Sequence, residues 1–286
     1  MIRIVDTCSY IGSLFDNGTF NIEKWEQYIN AVYDRSAVVF QQDLKECLDS
    51  GNYVYERDIL PILNAVCQNP QLEVLHSSFC SITEGLNEKI FARFCCELDI
   101  DIVLYMGLCN GAGWVTTING RDVILLGIEK IIELNWCDTT SMYGLVYHEL
   151  GHVYHKQYGV LQQQSEDSSR NFVWQLFTEG IAMHFEQVLL DDDRYFHQNK
   201  DGWLQWCDEH FTDILADFYA DLPAMTKSNQ NYFGDWVRYR GKGDVGYYLG
   251  SRFVQQLCKK HAFEQLVNMN IDEIYQEFLS FAELNR

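Results

Sequence analysis

The sequence predicts an α+β fold with a small, mostly antiparallel sheet and a largely helical remainder. Apolar residues recur at helical spacing over most of the chain. Between residues 99 and 127, three short runs instead have the length and composition of strands. Asn119-Gly120 separates the last two runs, and this dipeptide is the strongest short-range signal for a β-hairpin.

Length and composition bound the kind of protein. A chain of 286 residues can form one large domain or two small ones, and 47% hydrophobic residues are enough for a packed core. The chain has 21 Lys and Arg against 41 Asp and Glu, a formal net charge of −20. This charge makes nucleic acid and anionic membranes poor partners, although it can also serve solubility alone.

Targeting signals and cysteine usage predict the compartment. The first residues lack a basic region followed by a long apolar run, and no stretch of about eighteen apolar residues occurs. The ten cysteines include no C-x-x-C pair. Scattered thiols in a long chain are typical of reduced core cysteines, so we expect a cytoplasmic protein. Because a long apolar stretch is missing, we also expect no membrane partner.

The first third of the chain is expected to be a helical N-terminal region, residues 1–97, packed on the remainder. Ser81 and Glu84 have the spacing of a capping box for the last of its helices. Pro61 lies in the first turn of the second helix or kinks it. The predicted helices cover residues 21–49, 56–68, 71–79 and 83–97.

Residues 98–286 are expected to form a second domain that begins with the sheet. The predicted strands cover 99–106, 114–118 and 122–127. Helices dominate the rest of the chain, and Pro223 interrupts them. Those beyond residue 200 are predicted at 201–221, 244–260, 262–269 and 271–284.

The strongest chemical signal is the motif H-E-x-x-H, formed by His148, Glu149 and His152. Residues i and i+4 lie on one face of a helix, so both imidazoles can bind one metal ion. In such sites the intervening Glu deprotonates a metal-activated water. Asp138 and Thr139 offer an N-cap just before the apolar stripe of this helix.

A third ligand is needed, and Glu179 in the next predicted helix, residues 172–190, is the candidate. H-E-x-x-H followed by a helix with a Glu resembles the gluzincin metallopeptidases. The segment 176–182, Leu-Phe-Thr-Glu-Gly-Ile-Ala, is similar to the L-x-N-E-G-F-A segment of aminopeptidase N-like enzymes. It departs in having Thr178 for Asn, and the gap after His152 is longer. The polar run 162–169 predicts an inserted loop there.

This resemblance, shared with uncharacterised bacterial zinc-dependent protease domains, implies a zincin-like metallopeptidase domain with zinc held by His148, His152 and Glu179. In that fold the outer strand of the sheet lies along the cleft and pairs with a peptide or protein substrate. By position, residues 113–118 are this strand, with Ala112, Gly113 and Trp114 as candidate substrate-binding residues. An ordinary hairpin with a glycine-rich lead-in explains the same residues. The G-x-M-E-N segment that recognises a free α-amine is missing, so endo- and exopeptidase action both stay open.

The resemblance also implies an oxyanion donor. Tyr247 with Gly250 matches the Y-x-x-G context of the tyrosine in aminopeptidase N-like enzymes, with Tyr248 as the fallback. Both rings can equally be core or surface aromatics. A basic loop just before them can receive a substrate carboxylate or simply be solvated; it contains Arg238, Arg240 and Lys242.

Other polar residues near the motif are candidates for roles around the metal ligands. A metzincin is excluded, because His155 and Tyr158 occupy the Gly and final His positions of that motif. His155 is therefore expected on the helix surface or behind the ligands. Carboxylates usually orient ligating imidazoles, and Glu186, two turns after Glu179, could do so. Two histidines are further polar candidates, His184 and His210.

The sequence thus predicts a zinc-dependent peptidase that hydrolyses peptide bonds, with Glu149 as general base and Tyr247 as oxyanion donor. The alternative is a non-catalytic zincin-like binding or regulatory protein with a structural or vestigial metal. Glu149 favours the enzyme, because a structural zinc needs no general base.

Overall fold

The computed structural model describes residues 1–49, 51, 53–234 and 237–285. The chain is mixed α/β, 59% helical with a small sheet. It divides into two compact units, Met1–Glu149 and Leu150–Arg286. This division lies well beyond the boundary expected after residue 97, because a strand near the N-terminus belongs to the same sheet as the strands after residue 100.

The first unit contains the sheet. Its strands are β1 (Arg3–Asp6), β2 (Phe15–Asp16), β3 (Thr19–Phe20), β4 (Asp101–Tyr105), β5 (Gly113–Ile118) and β6 (Arg121–Gly127). Four of them form one sheet in the order β1-β4-β6-β5, and β2 pairs with β3 separately. Pairs β1–β4 and β4–β6 are parallel, and only β5–β6 is antiparallel.

The expectation of a mostly antiparallel sheet is therefore wrong. The short, largely exposed strand β1 shows no clear alternation of apolar and polar residues, and its parallel pairing was not predicted. The three later strands lie within about two residues of their predicted limits. The hairpin is confirmed: Asn119 and Gly120 both have positive φ, 51° and 79°, as the two central residues of a type I′ turn require.

Asp101 connects three strands of the sheet. Its carboxylate is fully buried and accepts hydrogen bonds from the Nε of Arg3 (3.0 Å), the hydroxyl of Tyr33 (2.6 Å) and the guanidinium of Arg121. Burial alone would raise the pKa of Asp101, but these donors outweigh it and hold the pKa below its usual value. The charge thus stays paired, and β1, β4 and β6 are tied together.

Along the sequence of the first unit, helices lie between and after the strands of this sheet. The region predicted as helical over residues 21–49 is two helices, since Tyr33 is extended. The predicted capping box is wrong: the fourth helix continues through Ser81 because Ile82 is part of its buried face, and Glu84 is its C-cap. The helices are α1 (Ile22–Val32), α2 (Ala37–Asp49), α3 (Leu60–Asn64), α4 (Gln71–Thr83), α5 (Leu86–Phe94) and α6 (Ile128–Glu133), with a π-helical turn at Tyr55–Ile59 before α3.

The H-E-x-x-H motif lies on one continuous helical segment. It comprises α7 (Thr139–Tyr143), a π-helical stretch (Gly144–His148) and α8 (Glu149–Tyr158). The side chain of Asp138 accepts the N–H of Ser141 at 3.0 Å, which confirms the predicted N-cap. The division between the units falls inside this segment, so His148 and Glu149 are described with the helix that carries them.

The second unit is helical. Its longest helix, α9, is hydrophobic around most of its circumference, as expected of a buried central helix. The helix predicted over residues 201–221 is divided in two at His210. The helices are α9 (Ser168–Leu190), α10 (Trp203–Glu209), α11 (Phe211–Asp221), α12 (Val245–Leu257), α13 (Phe263–Leu266) and α14 (Ile271–Asn285).

Two expectations about the chain as a whole can be compared with this fold. Within the described ranges, no helix combines the length and the apolar character that a membrane span requires. All ten cysteines are free thiols. Only Cys96, Cys137 and Cys207 are buried, whereas Cys80 and Cys95 are exposed, so the expectation of core thiols holds for a minority.

Candidate metal site

The three predicted metal ligands converge. His148 and His152 are one helical turn apart, and one ligand atom from each lies within 4.8 Å of the others and of a carboxylate oxygen of Glu179. The group contains these three residues and no fourth, as far as the chain is described. Two imidazoles and one carboxylate are a donor set that suits a catalytic zinc, which takes three protein ligands.

One distance in this group matches zinc coordination closely. The Nε2 of His152 lies 3.3 Å from the Oε2 of Glu179. Zinc–nitrogen and zinc–oxygen bonds of about 2.1 Å, at a tetrahedral angle, would place two ligand atoms roughly 3.4 Å apart. The two side chains therefore already have the separation that a shared ion requires.

The donor set is buried on one side and accessible on the other. His148 is 6% exposed, whereas the side chains of His152 and Glu179 keep 22% and 17% of their surface exposed. Solvent thus reaches the group from the side of His152 and Glu179. This access is what an open fourth position for water or substrate needs.

Small residues bring helix α8 against helix α9. A Cβ on Gly151 would lie 2.6 Å from the Cα of Ala182 and 3.1 Å from the Cβ of Phe185. Glycine between the two halves of the motif therefore allows the helices to cross closely. Since Glu179 precedes Ala182 by one turn, this crossing places its carboxylate beside His152.

The opposite side of α9 packs against α12 in the same way. A Cβ on Gly180 would lie 2.3 Å from the carbonyl oxygen of Gly250. The E-G-x-A segment thus has a packing explanation: Gly180 contacts α12 and Ala182 contacts α8. Thr178, which replaces the family's Asn, donates its hydroxyl to the carbonyl of Gln175 in its own helix.

Glu186 lies behind the ligands, as predicted for a residue that orients an imidazole. It is fully buried, and one of its carboxylate oxygens is within 4.8 Å of ring nitrogens of both His148 and His197. The Nδ1 of His197 donates to this carboxylate at 3.0 Å. A carboxylate in this position can fix the tautomer of a ligating His. His197 was not predicted, because it lies in an irregular segment with no periodic pattern.

The other histidines have structural surroundings. His155 was expected on the helix surface or behind the ligands; the surface position is wrong, because it is fully buried against the rings of Trp174 and Phe177. Burial, and then the charge of His152, lower the pKa of His155 to about 3. His184 lies against Phe263, and burial lowers its pKa to about 4. His210 stacks on the ring of Trp206.

The two candidate tyrosines differ sharply. Tyr248 is 1% exposed, and its hydroxyl donates to Asp208 at 2.8 Å. Tyr247 is half-buried, with its ring edge-on to Phe233 at 5.9 Å. It lies one turn before Gly250, where α12 crosses α9 next to Glu179. Tyr247 is thus the more exposed of the two tyrosines.

The predicted substrate strand, β5, is at the edge of the sheet. A Cβ on Gly113 would lie 3.1 Å from the Cδ2 of Leu145, which is one turn before His148 on the motif helix. The start of β5 therefore passes directly against that helix. The carbonyl of Ala112 accepts the N–H of Gly127, and the indole of Trp114 donates to the hydroxyl of Tyr105 at 3.2 Å. The carbonyl of Ala112 and the indole of Trp114 are thus both engaged in contacts within the first unit.

Glu129 is a buried acid that the sequence did not single out. Its carboxylate accepts the N–H groups of Gly107 (2.8 Å) and Cys109 (3.0 Å), which fixes the loop leading into β5. Burial raises the pKa of Glu129 to about 7 despite these two donors. A Glu early in a predicted helix gives no signal of burial, which explains why it was missed.

Two further features lie in the second unit. In the basic loop, for which carboxylate recognition and simple solvation were both left open, Arg240 pairs with Asp213 and Asp217. A cavity of about 510 Å³ has the ion pair of Arg194 and Asp208 among its lining residues. None of the predicted ligands lines this cavity.

Comparison with protein-family models, curated proteins and solved structures finds no match for this chain.

Proposed function

We propose that this chain is a zinc-dependent peptidase of the gluzincin type. The observation that carries the proposal is the convergence of His148, His152 and Glu179, with the 3.3 Å separation between His152 and Glu179. Three further observations support it: the donors are of mixed chemistry, they are exposed on one side, and the carboxylate of Glu186 lies behind His148. Zinc bound there would act as a Lewis acid and lower the pKa of a bound water to about 7.

In this proposal the remaining chemistry belongs to residues of the chain. Glu149 accepts the proton of the attacking water and returns it to the departing amine. The hydroxyl of Tyr247 donates to the oxyanion that forms on the former carbonyl. The backbone edge of β5 pairs with an extended substrate segment and aligns the scissile bond.

The substrate is proposed to be a peptide or an unfolded segment of a protein. A net charge of −20 disfavours nucleic acid. Ten free thiols favour work in a reducing compartment such as the cytoplasm. The ends of the cleaved peptides would distinguish endo- from exopeptidase action.

The test is digestion of a mixed peptide library by the zinc-loaded full chain, with products identified by mass spectrometry. Cleavage should disappear after chelation and return when zinc is restored. The matched control is the Glu149→Gln variant, treated in the same way. A protein that binds zinc tightly and leaves every peptide intact would support the non-catalytic binding or regulatory alternative instead.

A further inference from the structure

A second group of metal-ligand side chains lies in the first unit, at the carboxyl end of strand β1. One ligand atom from each of Asp6, His76 and Cys80 lies within 4.8 Å of the others. The Nε2 of His76 is 2.6 Å from the Oδ2 of Asp6 and 3.5 Å from the Sγ of Cys80. A carboxylate, an imidazole and a thiol thus meet at one point. They come from two elements of the unit, and Asp6 and His76 are 70 residues apart in the sequence.

Local structure explains why these three side chains meet. His76 and Cys80 are i and i+4 on α4, so they share a face of that helix. Asp6 is the last residue of β1. β1 and the candidate substrate strand β5 are the two opposite edges of the four-stranded sheet, roughly 14 Å apart at about 4.8 Å per strand. The group is therefore separate from the edge assigned to the substrate.

A backbone hydrogen bond orients the carboxylate of Asp6. The N–H of Cys8 donates to its Oδ1 at 2.9 Å, and its other oxygen, Oδ2, faces His76.

We propose that Asp6, His76 and Cys80 bind a zinc-type metal ion. Thiolate with imidazole selects zinc or a similar transition metal over magnesium or calcium. Zinc–sulfur and zinc–nitrogen bonds of about 2.3 and 2.0 Å at a tetrahedral angle would place the two atoms roughly 3.5 Å apart, which matches the 3.5 Å between the Nε2 of His76 and the Sγ of Cys80. Asp6 would move back from His76 by about 0.8 Å to reach the corresponding nitrogen–oxygen separation.

Binding here requires the Cys80 thiol to lose its proton, because the thiolate is the form that binds a metal. Three protein ligands would leave a fourth position for water. The ion would hold the end of β1 against α4. This role is independent of the peptidase proposal, since it shares no residue with His148, His152 and Glu179.

Cobalt(II) titration of the reduced full chain tests this site, because only a thiolate ligand gives a sulfur-to-cobalt charge-transfer band. The peptidase donors contain no sulfur, so the band belongs to the second site alone. We expect the band in the wild type and in Glu179→Ala, and its loss in Cys80→Ser. His76→Ala should weaken binding by more than the roughly 10–100-fold that the loss of an outer partner costs.

Cys95→Ser is the matched control, since Cys95 is another exposed thiol, at the end of α5. Its band should equal that of the wild type. A band that is missing in the wild type, that survives Cys80→Ser or that vanishes in Cys95→Ser would overturn the proposal. Alkylation in the presence and absence of zinc is the second readout: zinc should protect Cys80 and leave Cys95 reactive, and equal labelling of the two would count against the site.

Discussion

Gly180 of α9 lies directly against Gly250 of α12, so closely that a Cβ on Gly180 would be 2.3 Å from the carbonyl oxygen of Gly250. A methyl group at this point meets backbone, which cannot rotate away. Since Glu179 is the adjacent residue, a displacement of α9 would also displace a proposed zinc ligand. Glu179 and Gly180 thus place a proposed zinc ligand next to a residue that close helix packing requires.

Gly180→Ala should destabilise the protein by about 1–3 kcal/mol, the usual cost of overpacking, and weaken zinc binding. Denaturant unfolding and competitive zinc titration measure the two effects. Gly12→Ala is the control, because a Cβ on Gly12 meets nothing within 4 Å. Equal stability of the two variants would show that the α9–α12 crossing has room to adjust.

His148→Ala and Glu179→Ala should each lose zinc at the peptidase site, because a site with two remaining ligands holds the ion poorly. Metal analysis after dialysis, in a Cys80→Ser background, isolates this site from the second one. His210→Gln is the control, since its ring stacks on Trp206. Full zinc content in Glu179→Ala would mean that the third ligand is another residue.

Glu149→Gln should abolish peptide hydrolysis and leave zinc bound. The amide keeps the shape of the side chain but cannot accept a proton from water. Turnover and zinc content are measured on the same preparation, with Glu166→Gln, an exposed change in the loop before α9, as the control. Hydrolysis at a near-normal rate in Glu149→Gln would remove this residue from the mechanism.

Tyr247→Phe should lower kcat by roughly a hundredfold to a thousandfold with little change in KM, as expected for a donor that acts in the transition state. Tyr248→Phe should instead lower stability by about 1 kcal/mol, because it removes the partly buried hydrogen bond to Asp208. Steady-state kinetics and thermal unfolding of both variants separate these effects. A silent Tyr247→Phe beside an inactive, folded Tyr248→Phe would reverse the assignment.

Glu129 should give the protein a pH-dependent stability. Its pKa is about 7 in the folded chain against an ordinary 4.5, so folding favours the protonated form. The resulting stabilisation is complete below about pH 4.5 and is lost as the pH rises through 7; it amounts to about 3 kcal/mol over that window. Denaturant unfolding at pH 4 and pH 8, in the wild type and in a variant that cannot ionise at this position, measures this contribution as the difference between the two pH dependences.

Glu129→Gln should remove that pH dependence, whatever its constant effect on stability, because the amide does not ionise. Glu133→Gln, at an exposed position of the same helix, controls for the loss of one carboxylate. A pH dependence that is the same in the wild type and Glu129→Gln would contradict the assignment.

The parts predicted well from sequence are those with a strong local cause. The N-cap at Asp138, the turn at Asn119-Gly120 and the helix around Glu179 depend on neighbouring residues, so periodicity and turn chemistry were sufficient. The convergence of the three ligands followed from helical spacing together with a family resemblance.

The features that were missed depend on contacts distant in sequence. Strand β1 exists because it pairs with β4, and the burial of His155 follows from the rings of Trp174 and Phe177. His76 is at ligand spacing from Cys80, but the third member of the group, Asp6, comes from a strand near the N-terminus. No pattern within a short window contains this information.

The pairing of β1 with β4 also has a consequence for how the chain folds. Arg3 meets Asp101 across 98 residues, whereas the β5–β6 hairpin closes within a few. Contacts at such long separation form slowly, so β5, β6 and β4 can associate before β1 arrives. Until then the edge of β4, whose five residues are all buried in the finished fold, is open to strands of other chains. We therefore expect the refolding yield to depend on protein concentration, and to do so more strongly than the stability of the finished sheet alone would suggest.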